Sequence, residues 1–132
     1  MTASDFSTLN ELFIKAIEEK DGPDCYLYKS EGRYQSISSS EALRKAAALA
    51  SALERLGARP GERIALLSEN RPEWVLTDYA ILGMRAITVP LFPTLLEPDL
   101  EFILRDSESK GIVVATDSQL RKSSTSGASC RP

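Results

Sequence analysis

The sequence contains no histidine in 132 residues. That excludes Ser-His and Cys-His nucleophilic pairs, imidazole acid–base chemistry and the commonest metal ligand. Any catalysis by the chain alone falls to carboxylates, lysines, tyrosines or backbone amides. Cysteine is scarce: Cys25 and Cys130 stand near opposite ends. Two thiols at that spacing make no disulfide framework and too few ligands for zinc, so free cysteines in the cytoplasm are expected. Long apolar runs are missing, with none near the ~18 residues that span a bilayer. The first residues also lack the basic-then-apolar pattern of a secretory leader. A net charge of −3 offers no basic surface for nucleic acid, which is not an expected partner.

What remains is an ordinary globular composition, 42% hydrophobic and 27% charged, in a chain long enough for one domain. Leu9, Leu12, Phe13, Ala16 and Ile17 recur at helical spacing, predicting an amphipathic helix over 7–20. Asp21-Gly22-Pro23-Asp24 breaks it. Two aromatic-rich runs, 25–29 and 33–37, flank Ser30-Glu31-Gly32 and read as a β-hairpin. Ser38 and Glu41 have capping-box spacing ahead of a helix whose stripe is Leu43, Ala46, Ala47, Ala50, Leu53 and Leu56. Gly57 is placed to end that helix in a left-handed conformation.

From there strands and helices alternate. Residues 63–67 form an apolar run, and Pro72 suits the first position of a helix bearing Trp74, Val75, Tyr79 and Leu82. A strand over 86–89 is expected to stop at Pro90. Pro98 opens another helix, with Leu100, Ile103 and Leu104, and a strand over 112–115 follows. Such alternation implies right-handed crossovers and a parallel sheet, and the apolar strands imply cover on both faces. The expected class is α/β: a small parallel sheet with helices on both faces, plus an N-terminal helix and hairpin. Residues 1–118 form this portion. Residues 119–132 are serine-rich, with Arg121, Lys122 and Arg131 and no acid, and read as a disordered tail.

No self-contained nucleotide motif accompanies this pattern. Ser68-Glu69-Asn70-Arg71 follows the first parallel strand where a dinucleotide site needs GxGxxG, and GxxxxGK[ST] is absent. Glu69 alone is a poor substitute for the paired acids that hold magnesium. Thr125-Ser126-Gly127-Ala128-Ser129 has the composition of a phosphate-wrapping loop, but no strand or helix frames it, and a disordered end is the plainer reading. Residues 70–74 stand where α/β proteins bind ligands; the plainer account makes Pro72 a helix start, Asn70 or Arg71 its cap and Trp74 core. Pro90 and Pro93 read as strand terminators. Tyr26, Tyr28 and Tyr34 read as hairpin partners, not a stacking platform for bases. The catalytic, cofactor and metal sets are therefore empty.

One stretch carries a resemblance. Gly57-Ala58-Arg59-Pro60-Gly61-Glu62-Arg63-Ile64-Ala65-Leu66-Leu67-Ser68-Glu69-Asn70-Arg71-Pro72-Glu73-Trp74 is similar to the early signature of AMP-forming acyl-CoA synthetases of the adenylate-forming superfamily. Pro90-Leu91-Phe92-Pro93-Thr94 resembles that family's Val-Pro-Leu-Tyr-Pro-Thr segment, and the wording is most similar to the long-chain fatty acid branch. The resemblance extends over about residues 8–120. It implies an incomplete N-terminal subdomain of the AMP-binding fold. The implied chemistry joins a carboxylate to ATP, releases pyrophosphate, and passes the acyl-adenylate to coenzyme A with release of AMP. The implied cofactors of a complete enzyme are ATP, magnesium and coenzyme A, but the family's phosphate loop and catalytic lysine have no counterpart here. Arg85 stands where relatives carry glycine, and Glu97 replaces a serine-like cap before Pro98. Three readings stay open: an inactive N-terminal fragment of a synthetase, a small α/β binding module derived from one, or one part of a split enzyme completed by the missing remainder.

Overall fold

In the computed structural model, which describes residues 6–125, five helices and five strands follow one another along the chain. Helix α1 (Leu9–Glu19) starts on Thr8, whose hydroxyl accepts from the Glu11 amide, and buries Phe13 and Ile17. The Glu11 carboxylate turns back to the Ser7 amide and hydroxyl, which holds it below the usual carboxylate range. Strands β1 (Tyr26–Ser30) and β2 (Arg33–Ile37) pair antiparallel through a two-residue turn. Glu31 and Gly32 both take positive φ, as a type I′ turn requires.

Helix α2 (Ser39–Arg55) has the anticipated cap, Ser38 accepting from the Glu41 amide. Buried Ser39 donates to the Lys20 carbonyl at 3.0 Å and ties the start of α2 to the end of α1. At the other end the Ala58 amide reaches the Leu53 carbonyl and the Gly57 amide reaches Glu54, with Gly57 at φ 102°. This is a Schellman motif, in which the left-handed residue lets the chain satisfy the last carbonyls. Phe13 stacks on Tyr79 with ring centroids 3.9 Å apart, joining α1 to α3 (Pro72–Gly83). These residues, with Ile37, Ala42, Ala46 and Leu76, form one core beside the hairpin.

The second sheet holds β3 (Arg63–Leu67), β4 (Ile87–Leu91) and β5 (Gly111–Val114), all parallel, in the order β4-β3-β5. The register Ala65↔Val89, Leu67↔Leu91, Ala65↔Ile112 and Leu67↔Val114 aligns side chains in rows. Those rows meet Leu100, Ile103 and Leu104 of α4 (Glu97–Asp106) on one face. Ile64 and Val113 meet Ile81 and Met84 at the end of α3 on the other. The chain steps one way from β3 to β4 and the opposite way from β4 to β5. Crossovers of one hand therefore place α3 and α4 on opposite faces. The expected α/β class with helices on both faces is what the chain adopts.

Expectations at three element ends need correction. Pro90 does not stop the strand; it lies inside β4, which sits at the edge of the sheet, where proline is tolerated. Helix α4 begins at Glu97, one residue early, on Leu96 and without a side-chain cap. The tail predicted to be disordered from 119 instead begins inside α5 (Asp117–Thr125). Thr116 caps this helix by accepting from the Gln119 amide, and Gln119 and Ser123 are buried. The helix is held by polar contacts, which is why a search for apolar periodicity passes over it. Residues 126–132, with Cys130 and most of the Thr125–Ser129 run, lie outside the described residues.

Candidate functional site

The carboxyl ends of β3, β4 and β5 gather three connections: 68–71, 92–96 and 115–116. With β3 central and its successors on either side, the gap between β3 and β5 is the topological switch point, where open α/β sheets bind ligands. A cleft of about 220 Å³ opens there, lined in part by Ser68, Arg71, Trp74, Thr77 and Val114. A second, of about 320 Å³, lies between the ends of β3 and β4 under Asn70, Trp74, Pro90, Phe92 and Pro93. Trp74 is half-buried and forms a wall of both, so it is not the core residue that its place in the helix suggested. A third hollow, of about 530 Å³, separates Tyr26, Tyr28 and Lys29 from Arg71 and Pro72.

Several of the polar groups around these clefts are matched to one another. The Arg71 guanidinium meets the Glu73 carboxylate at 2.8 Å. That bond holds the Glu73 carboxyl below its ordinary range and pushes the Arg71 pKa up. Arg71 occupies the N-cap of α3 but gives it no side-chain hydrogen bond, so the expected capping by Asn70 or Arg71 side chains is not made. Thr77 donates to the Glu73 carbonyl at 2.7 Å, and Ser68 donates to the Glu69 carbonyl at 2.9 Å. The Gln119 amide donates to the Glu69 carboxylate at 2.9 Å while its oxygen accepts from the Ala115 amide at 2.9 Å. Lys122 donates to the carbonyls of Pro93 and Leu95, fastening α5 over the connection after β4.

Sequence reasoning located residues 70–74 but missed Gln119 and Lys122. The available signal was Thr116-x-x-Gln119, a capping-box spacing directly after an apolar strand. Tyr26 and Tyr28 pack beside the first core, as hairpin partners were expected to do, whereas Tyr34 is exposed. Burial pushes the Tyr26 hydroxyl up to about 12, with neighbouring Cys25 and Tyr79 adding to the effect.

This donor set does not fit a nucleoside triphosphate. Phosphoryl groups need several positioned cations or a nest of amides. Arg71 is already neutralised by Glu73, and Glu69 adds a further carboxylate beside the same clefts. Among the described residues no three acidic, cysteine or histidine side chains are grouped to hold a metal ion, and no helix is long and apolar enough to cross a membrane.

The profile of the AMP-binding enzyme family matches residues 15–131. The long-chain-fatty-acid–CoA ligase FadD15 of Mycobacterium bovis is 34% identical over 102 residues, 76% of this chain and 17% of that protein. Fatty acyl-CoA synthetase A of Dictyostelium discoideum is 40% identical over 77 residues, 58% of this chain and 12% of its own. Among solved structures, the anthranilate CoA ligase AuaEII in complex with anthranoyl-AMP superposes with a TM-score of 0.76 at 25% identity, over 97% of this chain and 25% of its own. The N-terminal domain of FACL13 from Mycobacterium tuberculosis shares the fold, with a TM-score of 0.77 at 23% identity, covering 93% of this chain and 30% of that one. The chain thus spans less than a third of each of these proteins. It belongs to the AMP-binding enzyme family and corresponds to the N-terminal segment of AMP-forming acyl-CoA synthetases.

Proposed function

We propose that this chain is the N-terminal α/β segment of a ligase that joins a long-chain fatty acid to coenzyme A, and that alone it turns over nothing. In the complete reaction the carboxylate attacks the α-phosphorus of ATP, forming acyl-adenylate and releasing pyrophosphate. The thiol of coenzyme A then displaces AMP and forms the thioester. ATP, magnesium, coenzyme A and the fatty acid belong to the whole enzyme, and the cytoplasm, where free thiols persist, is the proposed compartment.

The observation that carries this reading is the family match through nearly the whole chain, alongside relatives of which it spans 17%. The clefts agree with it. Arg71 is spent on Glu73, and the remaining carboxylate, Glu69, accepts from Gln119, so this segment contributes framework and leaves charge stabilisation of the transferring phosphoryl group to residues elsewhere. The test is pyrophosphate release with palmitate, magnesium-ATP and coenzyme A. The 132-residue chain is expected to give no rate above the protein-free blank; steady turnover overturns the reading.

A further inference from the structure

Three helices end at the amino side of the parallel sheet in the same bonded pattern. The left-handed position is taken by Gly57 after α2, Arg85 after α3 and Glu108 after α4. Glycine adopts that conformation freely, whereas a side chain there is strained. Glu108 uses its side chain, in the pair with Arg63. Arg85 is exposed, and its guanidinium enters no ion pair among the described residues. A strained residue whose side chain serves nothing within the fold points to a partner outside it.

Two more arginines share that corner. The Arg85 carbonyl accepts from the Gly61 amide at 2.8 Å, so the loop 57–61 lies against the end of α3. Arg59 stands on this loop and Arg55 in the last turn of α2 just before it. Both are exposed and, among the described residues, in no ion pair. Arg63, Arg71 and Arg105, by contrast, meet carboxylates at 2.6, 2.8 and 2.7 Å. Of the two neighbouring acids, Glu62 is engaged by the Arg59 amide at 2.8 Å, which leaves exposed Glu54 against three cations.

The corner is also apolar at its tip. Leu56, between Arg55 and Arg59, is 85% exposed, and Pro60 is exposed beside Arg59. Guanidinium groups bind phosphate oxygens in pairs and shed water more readily than ammonium groups do. An apolar side chain among them suits the acyl boundary that lies just beneath phosphate headgroups. A free phosphate offers only the first of these layers, and an acidic peptide offers no apolar layer at a fixed depth.

We infer that the corner formed by Arg55, Leu56, Arg59 and Arg85 docks this chain on an anionic phospholipid surface. The arginines meet the headgroup phosphates and Leu56 dips beneath them. The inference rests on the proposed function, because a long-chain fatty acid partitions into bilayers and the cytoplasmic leaflet carries the negative potential. No helix among the described residues is long and apolar enough to cross a membrane, so the contact is peripheral. The carboxyl-end clefts lie at the other end of the strands and stay open.

The test is flotation of the 132-residue chain with vesicles of equal parts phosphatidylglycerol and phosphatidylcholine at low salt. Partition onto these vesicles and not onto pure phosphatidylcholine is expected. Arg85→Gly keeps the helix end, since glycine suits φ 62°. It should lower the partition coefficient about fivefold, the worth of one basic side chain at an anionic surface. Arg55→Gln, Arg59→Gln and Arg85→Gly together should lower it at least about a hundredfold. Leu56→Ser should weaken binding without changing its salt dependence. Arg33→Gln, an equally exposed arginine on the hairpin, should leave it unchanged. No partition of the unaltered chain, or an equal loss for Arg33→Gln, overturns the inference. Release from the vesicles by millimolar inorganic phosphate makes this a free-anion site, and tighter binding to polyglutamate makes the partner an acidic polypeptide; either overturns it too. Pyrophosphate release is read separately, so the ligase reading survives failure of every vesicle measurement.

Discussion

Replacing Arg85 with glycine should make this protein more stable. The α3 helix ends as α2 does: the Ala86 amide reaches the Ile81 carbonyl and the Arg85 amide reaches Leu82, a second Schellman motif. In α2 the left-handed residue is Gly57, but here it is Arg85, at φ 62°. A side chain in that region costs about 1–2 kcal/mol relative to glycine, because Cβ crowds the following carbonyl. Glycine also gains freedom in the unfolded chain, which takes back about 0.4–1 kcal/mol. The net expectation is about 0.5–1 kcal/mol of added stability. Nothing offsets it in the folded state: Arg85 is exposed, and its carbonyl bond to the Gly61 amide at 2.8 Å survives the change.

Urea unfolding followed by the fluorescence of Trp74, the sole tryptophan, measures this directly. With a slope of about 1.5 kcal/mol per molar urea, the midpoint should rise by roughly 0.3–0.7 M at unchanged slope. Two companions fix the interpretation. Glu108→Gly relieves the same strain at the end of α4, where φ is 50°, but removes the 2.6 Å pair with Arg63. Glu108 is mostly exposed, so that pair is worth at most about 1 kcal/mol and the midpoint should barely move. Gly57→Ala inserts the strain instead, at φ 102°, and should cost about 1 kcal/mol. A fall in midpoint for Arg85→Gly, comparable to Gly57→Ala, refutes the reasoning.

Gln119→Ala removes the two hydrogen bonds that pin α5 to the ends of β3 and β5, and leaves the Ala115 amide without its partner. A loss of about 1–3 kcal/mol, with faster amide exchange across residues 117–125, is expected in native-state hydrogen exchange. Tyr26 should ionise late in a spectrophotometric titration, since burial raises it to about 12. Its folded pKa lies above the unfolded value of ~10, so its contribution is intact below pH ~10 and is lost as pH rises toward 12; unfolding midpoints across pH 9–12 check this sign.

Much of the architecture was legible because the informative residues act locally. Ser38 and Glu41 cap a helix three residues apart, and Gly57 ends one within a single turn. The run Ile64-Ala65-Leu66-Leu67 is apolar on both faces because β3 is the central strand. Pro90 was misjudged because the rule that proline ends strands holds for central strands, and the sequence does not state which strand is at the edge. The tail was misjudged because α5 buries glutamine and serine where a pattern search looks for leucine. At the carboxyl end, residues 70–74 could be located from the strand–helix junction alone. The partner of Glu69 could not, since Gln119 lies 50 residues away and meets it only after the chain has crossed the sheet twice.

That pairing bears on how a switch point in this parallel sheet would receive a nucleotide. Brought to these clefts, a triphosphate would meet Arg71 with Glu73 already bound to it, and Glu69 held nearby by Gln119. Freeing Arg71 would break a charge-assisted bond and leave two carboxylates facing the incoming anion. The α3 N-terminus lends a favourable dipole, but only about half a unit charge. Against that and the single charge of Arg71 stand two full negative charges, so local electrostatics oppose phosphate even though the topology invites it. The same bonds do something else well. Gln119 fixes α5 to β3 and β5, and Lys122 fixes it to the connection after β4. All three strand ends are thereby tied together through α5, and a segment that spends Arg71, Glu69 and Lys122 on its own backbone and side chains is suited to bearing the rest of an enzyme.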